Sequence, residues 1–512
     1  MQFVIDVGLS ILYFVFFLLV CAWTWRFWIM YIQQKHINSI DWLMLEIKLP
    51  REINKSPYAT ELAIASLLQS GGLGHKYGKY FKGNMPIFSS LEIASIEGVV
   101  HFYVRIHSKF KALVEANFYS QYPGIELVVA EDYTKLIQYH HLTKDVSCWA
   151  ESYALSKNWN PTNPKTGKAF SKKGGESAEP KDDDDKYSMR ADFFPIKTYV
   201  DYGLDKDPKE EYKIDPLGQL IEVMGGIGKG EHFWYQILLQ DESIYNDKKW
   251  PKLYVNEKNH KHVSLSEMAK EYKNQLRTSA YLKKGDTVDD GYGGVKQVQV
   301  GKDADGNAVY EDQVYKYESP KAVSKEEAKL TQEEKDQLEA INNKIAKPLV
   351  VGIVRLLYVT KREKFNPQHI QTVLSFPKPF SGTNSLGLKK LSDPYDFPWE
   401  NFMDRRTPWR TEEMFEEYVE REGFFPHIKS RETLEKWEDT FFWTTSMKTR
   451  KLFRMIYESI FYPFDHPHPE EASTYNLEEI ATLWHLPGAT VGTPGLPRID
   501  SNKGVAPVNL PL

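Results

Sequence analysis

The chain has 512 residues, with Lys+Arg 65 against Asp+Glu 70 and a formal net charge of -5. That length accommodates roughly two to four domains. The near balance of charge excludes a strongly basic nucleic-acid coat, and a count of 2 Cys excludes both a disulfide framework and a four-thiolate zinc site. A mean hydropathy of -0.50 excludes a polytopic membrane protein and leaves room for one span.

That span is at the start. Val7 to Trp25 carries no charge, and an apolar run resumes after Arg26. As a helix, Leu9 to Ile32 would be about 36 Å long, enough to cross ~30 Å of hydrocarbon. Trp23, Trp25, Trp28 and Tyr31 gather toward one end as an interfacial belt would, and Arg26 is placed to snorkel to the headgroups. A cleaved signal peptide fits less well: the first six residues lack Lys or Arg, the run is long, and no A-x-A site follows. Only Asp6 precedes the span, whereas Lys35, Lys48, Arg51 and Lys55 follow it. The positive-inside rule then predicts a single-pass anchor (1–38) in the cytoplasmic membrane, with the body in the cytoplasm. Cys21 and Cys148 as the two thiols accord with a reducing compartment.

Residues 40–150 read as six elements. Trp42 to Leu49 predicts a strand. Ser56-Pro57 starts a helix that Gly71-Gly72 stops. Phe88 to Ile96 alternates as a strand, Glu97-Gly98 signals a hairpin, and Val100, Phe102, Val104 and Ile106 line one face of the next strand. A helix begun at Ser108 ends at Tyr122-Pro123-Gly124, and Ile125, Leu127 and Val129 form a last strand. The order is βαββαβ, the ferredoxin-like arrangement.

A polar linker is assigned to 151–190, on the Pro/Gly-rich stretch 156–188 with its Asp182 to Asp185 run. A second βαββαβ order spans 191–395. Its elements are a strand at Ile196 to Tyr202, a helix from Asp215-Pro216 to Gly225-Gly226, strands at His232 to Gln240 and Leu349 to Thr360, a helix from Asn366-Pro367 to Phe376, and a strand within Ser385 to Leu391. The insertion 242–348 interrupts it, with capping boxes at Ser264-x-x-Glu267 and Thr331-x-x-Glu334 and a hairpin turning at Asp305-Gly306. Asp303-x-Asp305 lacks the closing Glu of a calcium loop. Residues 396–487 read as helical, with a helix from Thr411 to Glu422, a pair within 431–463, and a short one capped by Asn476-x-x-Glu479; 488–512 is a Pro/Gly-rich connector. The expected fold class is therefore α+β: one transmembrane helix, two ferredoxin-like modules, the second with a long insertion, and a helical C-terminal tail.

The motifs that carry chemistry are absent or incomplete. Gly225 to Gly230 fails the phosphate-loop test, because Val223 and Gly230 stand where the first Gly and the Ser/Thr belong and the stretch follows a helix. Gly71 to Lys79 fails likewise. His466-x-His468 with Glu470 and Glu471 sits among prolines, and His140-His141 lacks a carboxylate cluster. Nothing near Cys148 lowers a thiol pKa. No catalytic residue, cofactor or metal is expected. Two basic clusters remain as candidates for contact with an anionic partner: Arg405, Arg406 and Arg410 around Trp409, and Lys448, Arg450, Lys451 and Arg454 at helical spacing. In the final short helix Leu477, Ile480 and Trp484 form an apolar stripe, a candidate partner-docking surface.

Three phrases resemble one family: SLEIASIEGVVHFYVRIHSKFKALVEANFYSQYPGIEL; FPIKTYVDYGL with IDPLGQLIEVMGGIGKGEHFWYQILLQ; and YNLEEIATLWHLPG. It is the large membrane-associated proteins of type IV secretion or conjugation systems in candidate-phyla bacteria. There, a comparable domain of unknown function precedes a HerA–FtsK-type motor ATPase. The likeness covers most of 42–512, and this chain stops at Val508 to Leu512, where that motor would begin. The resemblance implies a non-enzymatic, membrane-anchored component, part of an oligomeric assembly, serving as a platform for a HerA–FtsK-type or type IV secretion ATPase on a separate chain. The alternative is a membrane-tethered nucleic-acid-binding module contacting DNA or RNA. That reading needs exposed aromatics on the central strands, where His101 and Tyr103 are the candidates.

Overall fold

The computed structural model describes scattered residues between 7 and 37, then 39–51, 53, 55–68, 76–139, 145–155, 158–159, 189–190, 192–205, 215–246, 254–256, 261–282, 294–302, 308–315, 330–381, 388–390, 406–424, 472–488, 491 and 493–499. In chain order the main elements are β1 (Trp42–Pro50), α1 (Pro57–Ile64), α2 (Lys76–Phe81), β2 (Ser89–Ile96), β3 (Val99–His107), α3 (Lys111–Gln121), β4 (Glu126–Ala130) and β5 (Val146–Leu155). They continue with α4 (Gly218–Gly226), β6 (Glu231–Asp241), α5 (Leu265–Leu282), α6 (Gln332–Ala346), β7 (Leu349–Lys361), α7 (Pro367–Leu374), β8 (Leu388–Lys390), α8 (Arg406–Glu420), β9 (Ser473–Asn476), α9 (Leu477–Leu483) and β10 (Arg498–Ile499). The class is α+β, dominated by one antiparallel sheet.

The sheet has ten strands in the order β8-β5-β7-β6-β2-β3-β1-β10, with β4 also on β1 and β9 also on β7. Two quartets meet at its middle. One runs β4-β1-β3-β2 and the other β8-β5-β7-β6, so in each the first strand is flanked by the fourth and third. They join edge to edge through the antiparallel β2–β6 pair, in register from Ser89 against Leu239 to Ile96 against His232. Joining covers two edges that would otherwise expose unpaired backbone.

β6 and β7 are buried on both faces, which is why HFWYQILLQ and LVVGIVRLLYVT are almost unbroken apolar runs and not alternating ones. One face carries Leu45, Ile93, Phe102, Phe233, Tyr235, Ile237 and Leu356 in the principal core, roofed by helices including α1, α4 and α9. The Glu97-Gly98 hairpin turns with positive φ at both residues, 53° and 88°. A Cβ at Gly98 would stand 2.5 Å from the Ile227 carbonyl oxygen, so the turn needs glycine there on two counts. All three expected capping boxes are present, at Ser264/Glu267, Thr331/Glu334 and Asn476/Glu479.

Several expectations need correction. Ile196 to Tyr202 is not a strand. Its backbone is satisfied by other partners: Ile196 N–H donates to Glu479 Oε1 at 2.7 Å, Tyr199 N–H to Thr482 Oγ1 at 2.9 Å, and Lys197 N–H to the Phe380 carbonyl at 2.9 Å. The first strand of the second quartet is β5, which begins before the supposed linker 151–190 and runs into it. The region 396–487 is not purely helical, since β9 pairs with β7 from Leu349 against Asn476 to Gly352 against Ser473. In the connector 488–512, Arg498–Ile499 pairs parallel to β1. α8 begins at Arg406, five residues ahead of Thr411. The hairpin strands Gly294–Lys302 and Ala308–Tyr315 are present, while the Asp305-Gly306 turn, the helix pair of 431–463 and residues 501–512 lie outside the described residues.

Among the described residues no helix is long and apolar enough to cross a membrane. Within Leu9 to Ile32 only some residues are described, and all of these are helical.

Candidate functional site

The second face of the sheet holds a feature the alternation rule does not anticipate. Reading across the register, Ser152, Arg355, Gln236, Glu92, Tyr103 and Glu46 stand opposite one another on six successive strands. This polar row separates two apolar clusters. Ala94, Trp234, Leu357, Val359 and Phe415 lie on one side of it, and Phe88, Leu238, Val351, Ile353 and Phe424 on the other.

The row is closed by the end of α8. Arg421 follows that helix with φ +56°, the left-handed conformation that stops a helix. Its guanidinium donates from Nε to Glu92 Oε1 at 2.8 Å and from Nη2 to Glu92 Oε2 at 3.1 Å. It also donates to Asp132 from Nη1 at 2.6 Å and from Nη2 at 3.0 Å, and to the Val419 carbonyl at 3.0 Å. All five donors are thereby used. Glu92 further accepts from Ser90 Oγ at 2.5 Å, Tyr133 OH at 2.7 Å and Gln236 Nε2 at 3.2 Å. The Tyr133 and Tyr418 hydroxyls meet at 2.8 Å, and Arg355 Nη1 donates to the Glu417 carbonyl at 3.1 Å.

The electrostatics follow from that geometry. Burial alone would raise the Glu92 carboxyl, but the Arg421 cation outweighs it and holds Glu92 below the usual carboxylate range. Asp132 is lowered by the same contest between burial and Arg421. Tyr133 and Tyr418 are pushed well up, first by burial and then by Glu92. Arg105, on β3, places its guanidinium carbon over the Trp42 indole at 4.2 Å from the ring centre, and among the described residues its buried Nη1 has no hydrogen-bond partner. Burial and then the Arg421 cation push it down to about 9. Chemically, the cluster fastens α8 and the 131–134 turn to the middle of the sheet. Its carboxylates are engaged and ionised, the wrong state for proton donation, and its principal cation has no donor left for a ligand.

The C-terminal segment is fastened to the first face in a different way. Lys344 Nζ meets Glu479 Oε2 at 3.0 Å with both side chains fully buried, and also donates to the Phe194 carbonyl at 3.1 Å. Burial raises Glu479 above its usual value despite Lys344. Leu477, Ile480 and Trp484 are core residues: Trp484 is 0% exposed and meets the Phe102 ring edge-on at 6.0 Å. The stripe expected to be left for a docking partner is thus covered by the chain's own sheet, because β9 delivers α9 directly onto it.

Of the basic candidates, Arg406 and Arg410 fall within α8, while Arg405, Lys448, Arg450, Lys451 and Arg454 lie outside the described residues, as do His466 and His468. The candidate base-stacking aromatics are not free. Tyr103 is buried and stacks on Tyr133 at 5.1 Å, and His101 Nδ1 is 2.7 Å from Glu46 Oε1. Gly225-Gly226 closes α4, and Gly228 and Gly230 donate their N–H groups to Glu231 and Glu97, forming a turn into β6. Burial pushes the Cys148 thiol up. Among the described residues no three His, Cys, Asp or Glu side chains gather as a metal site.

The residues that sequence reasoning missed are Glu92, Gln236, Arg355 and Arg421. The available signal was a charged or amide residue set directly between apolar neighbours: Glu92 in LEI, Gln236 in YQI and Arg355 in VRL. No family model, curated protein or solved structure matches the chain.

Proposed function

We propose that this chain is a non-enzymatic, membrane-anchored component of a type IV secretion or conjugation-like apparatus, in which two ferredoxin-like modules serve as a rigid platform for a motor ATPase on a separate chain. The observation that carries the non-enzymatic part is the use of all five Arg421 donors within the chain. This set of ionisable groups on the second face thus holds elements together. The strand orders β4-β1-β3-β2 and β8-β5-β7-β6 support the reading of two ferredoxin-like modules sharing one sheet. The uncharged run from Val7 to Trp25 and the Lys/Arg excess after it support the anchor and its orientation. The resemblance of three long phrases to secretion-system proteins supports the assembly.

The test is isolation of the tagged full chain from native membranes in mild detergent. It is expected in the membrane fraction together with a HerA–FtsK-type ATPase, and purified away from that ATPase it turns over no nucleotide. Recovery from the soluble fraction, or ATP hydrolysis that is abolished by Lys229→Ala, would reverse the reading.

A further inference from the structure

The foot of the apolar N-terminal helix does not leave the body as a free stalk. Trp28 Nε1 donates to the Tyr80 carbonyl at 3.1 Å, and the Trp25 ring lies 6.0 Å from Tyr80 and 6.4 Å from Phe81. Ile32 and Gln33 are buried. A Cβ at Gly83 would stand 2.2 Å from the Ile32 carbonyl oxygen, and Gly83 has φ +70°, so this loop fits against the helix only as glycine. The contact fixes α2, of sequence KYGKYF, beside the aromatic end of the apolar run.

What α2 presents there is unusual for a surface. Tyr77 is 63% exposed and Phe81 53%, and they stack at 5.3 Å. Trp25, Trp28 and Tyr31 are exposed beside them, Tyr31 by 62%. Soluble surfaces seldom gather five large aromatics at one pole. Cations surround them. Lys82 is exposed, with its Nζ 6.0 Å from the Tyr77 ring centre. Lys35 and Lys109 are exposed too, and Lys109 lies close enough to His36 to add to burial in lowering that imidazole's pKa. Asp41 is the acid that acts on His107 at this pole. Aromatic rings beside lysines are the composition of a membrane headgroup layer.

We propose that α2 and Lys82 form a membrane-interface element, with Tyr77 and Phe81 entering the headgroup layer of an anionic bilayer next to Trp25, Trp28 and Tyr31, and with Lys35, Lys82 and Lys109 meeting lipid phosphates. The proposal rests on the reading of the N-terminal run as a membrane anchor. It adds that the body is held against the bilayer in one orientation, with the Trp42/His107 end of the strands toward the lipid. The Glu97-Gly98 hairpin, at the other end of β3, is then roughly 30 Å away.

The experiment uses the full chain with Cys21→Ser and Cys148→Ala, carrying one fluorophore at Phe81→Cys or, as control, at Val99→Cys beside the distal hairpin. Each is reconstituted into phosphatidylcholine vesicles with or without phosphatidylglycerol, and spin-labelled lipids quench at headgroup depth. Quenching at Phe81 at least about twofold stronger than at Val99, and stronger with phosphatidylglycerol, is expected. Carbonate washing of the same vesicles reports on the anchor separately. Protein that resists carbonate but shows equal quenching at the two positions overturns the interface element and leaves the anchor standing. Protein that washes off, yet is quenched at Phe81 at neutral pH, overturns the anchor and keeps the interface element. Quenching at Phe81 that ignores phosphatidylglycerol overturns the contact with lipid phosphates.

Discussion

The two faces of the central sheet solve the same problem with different chemistry. On the first, helices lie on an apolar core of Leu, Ile and aromatic residues, and the buried charges are scattered, Lys344 with Glu479 at helix ends and Glu151 on β5. On the second, a row of polar side chains crosses six strands, and α8 is fixed by a guanidinium at its end. An apolar face tolerates many arrangements of similar volume. A charged row does not, since each displaced partner leaves an ion buried alone. The second face is therefore expected to contribute uniqueness of arrangement more than net stability.

The largest expected effects test that difference directly. Arg421→Ala leaves Glu92 and Asp132 without their cation and should cost about 3–5 kcal/mol in unfolding free energy of the purified chain. Trp484→Ala opens a cavity in the first face and should cost a similar ~3–5 kcal/mol. The two then diverge on second-site change. Glu92→Gln in the Arg421→Ala background removes the stranded charge and should recover part of the loss. An Arg421→Ala/Glu92→Gln double variant as unstable as the sum of the two single variants would show that the polar face is held by packing, as the apolar one is.

A smaller effect sharpens the apolar side. The Trp484 indole N–H has no hydrogen-bond partner among the described residues. Trp484→Phe should therefore lose well under half of what Trp484→Ala loses in the same unfolding measurement. A loss as large as that of the alanine variant would mean that the N–H matters.

The acid limb separates the faces again. Glu92 and Asp132 are held below their usual values by Arg421, so their contribution is fully present above about pH 4–5 and is lost as pH falls through the native values. Wild-type stability should fall on acidification from pH 5 toward 3. In Arg421→Ala the stranded Glu92 prefers its proton, so the deficit against wild type should narrow over the same interval. Unfolding curves at three pH values decide it, and a deficit constant with pH would remove Glu92 ionisation from the account.

The sequence made the first face readable and the second nearly silent. Most strands follow from period-two patterning or, for β6 and β7, from unbroken apolar runs, and the hairpin at Glu97-Gly98 and the three capping boxes follow from local hydrogen bonding within four residues. β5 was missed because Glu151 and Ser152 interrupt its apolar pattern. Ile196 to Tyr202 reads as a strand because its composition suits one, yet its N–H groups are taken by side chains of α9, 283 residues on from Ile196 to Glu479, and by the Phe380 carbonyl. The polar row depends on the register of six strands and on Arg421, 329 residues from Glu92, and no local rule reaches that far. The apolar stripe of Leu477, Ile480 and Trp484 was legible as a stripe, but only the β7–β9 pairing reveals what covers it.

The smallest expected effect concerns a tie on the first face that should weaken at the opposite end of the pH scale from the Arg421 cluster. His485 Nε2 lies 3.1 Å from Asp215 Oδ2, just after α9 and just before α4. Burial alone would lower this imidazole, but the Asp215 carboxylate outweighs burial and the net direction is upward. A histidine raised in the folded state contributes stability that is fully present below its unfolded pKa of about 6.5 and is lost as pH rises through the higher native value. Asp215 is lowered by the same pairing, so its share is lost only in acid. His485→Gln keeps a donor near Asp215 and removes the titration. Its deficit against wild type should be greatest near pH 6, at most about 1.5–3 kcal/mol for one charge-assisted hydrogen bond, and should shrink steadily toward pH 9. The Arg421→Ala deficit should not shrink over that same interval, because Glu92 and Asp132 are ionised throughout it in the wild type and a stranded Glu92 only becomes costlier to ionise as pH rises. If the His485→Gln deficit is flat from pH 6 to 9, the imidazole is neutral in the folded chain and the pair is an ordinary hydrogen bond.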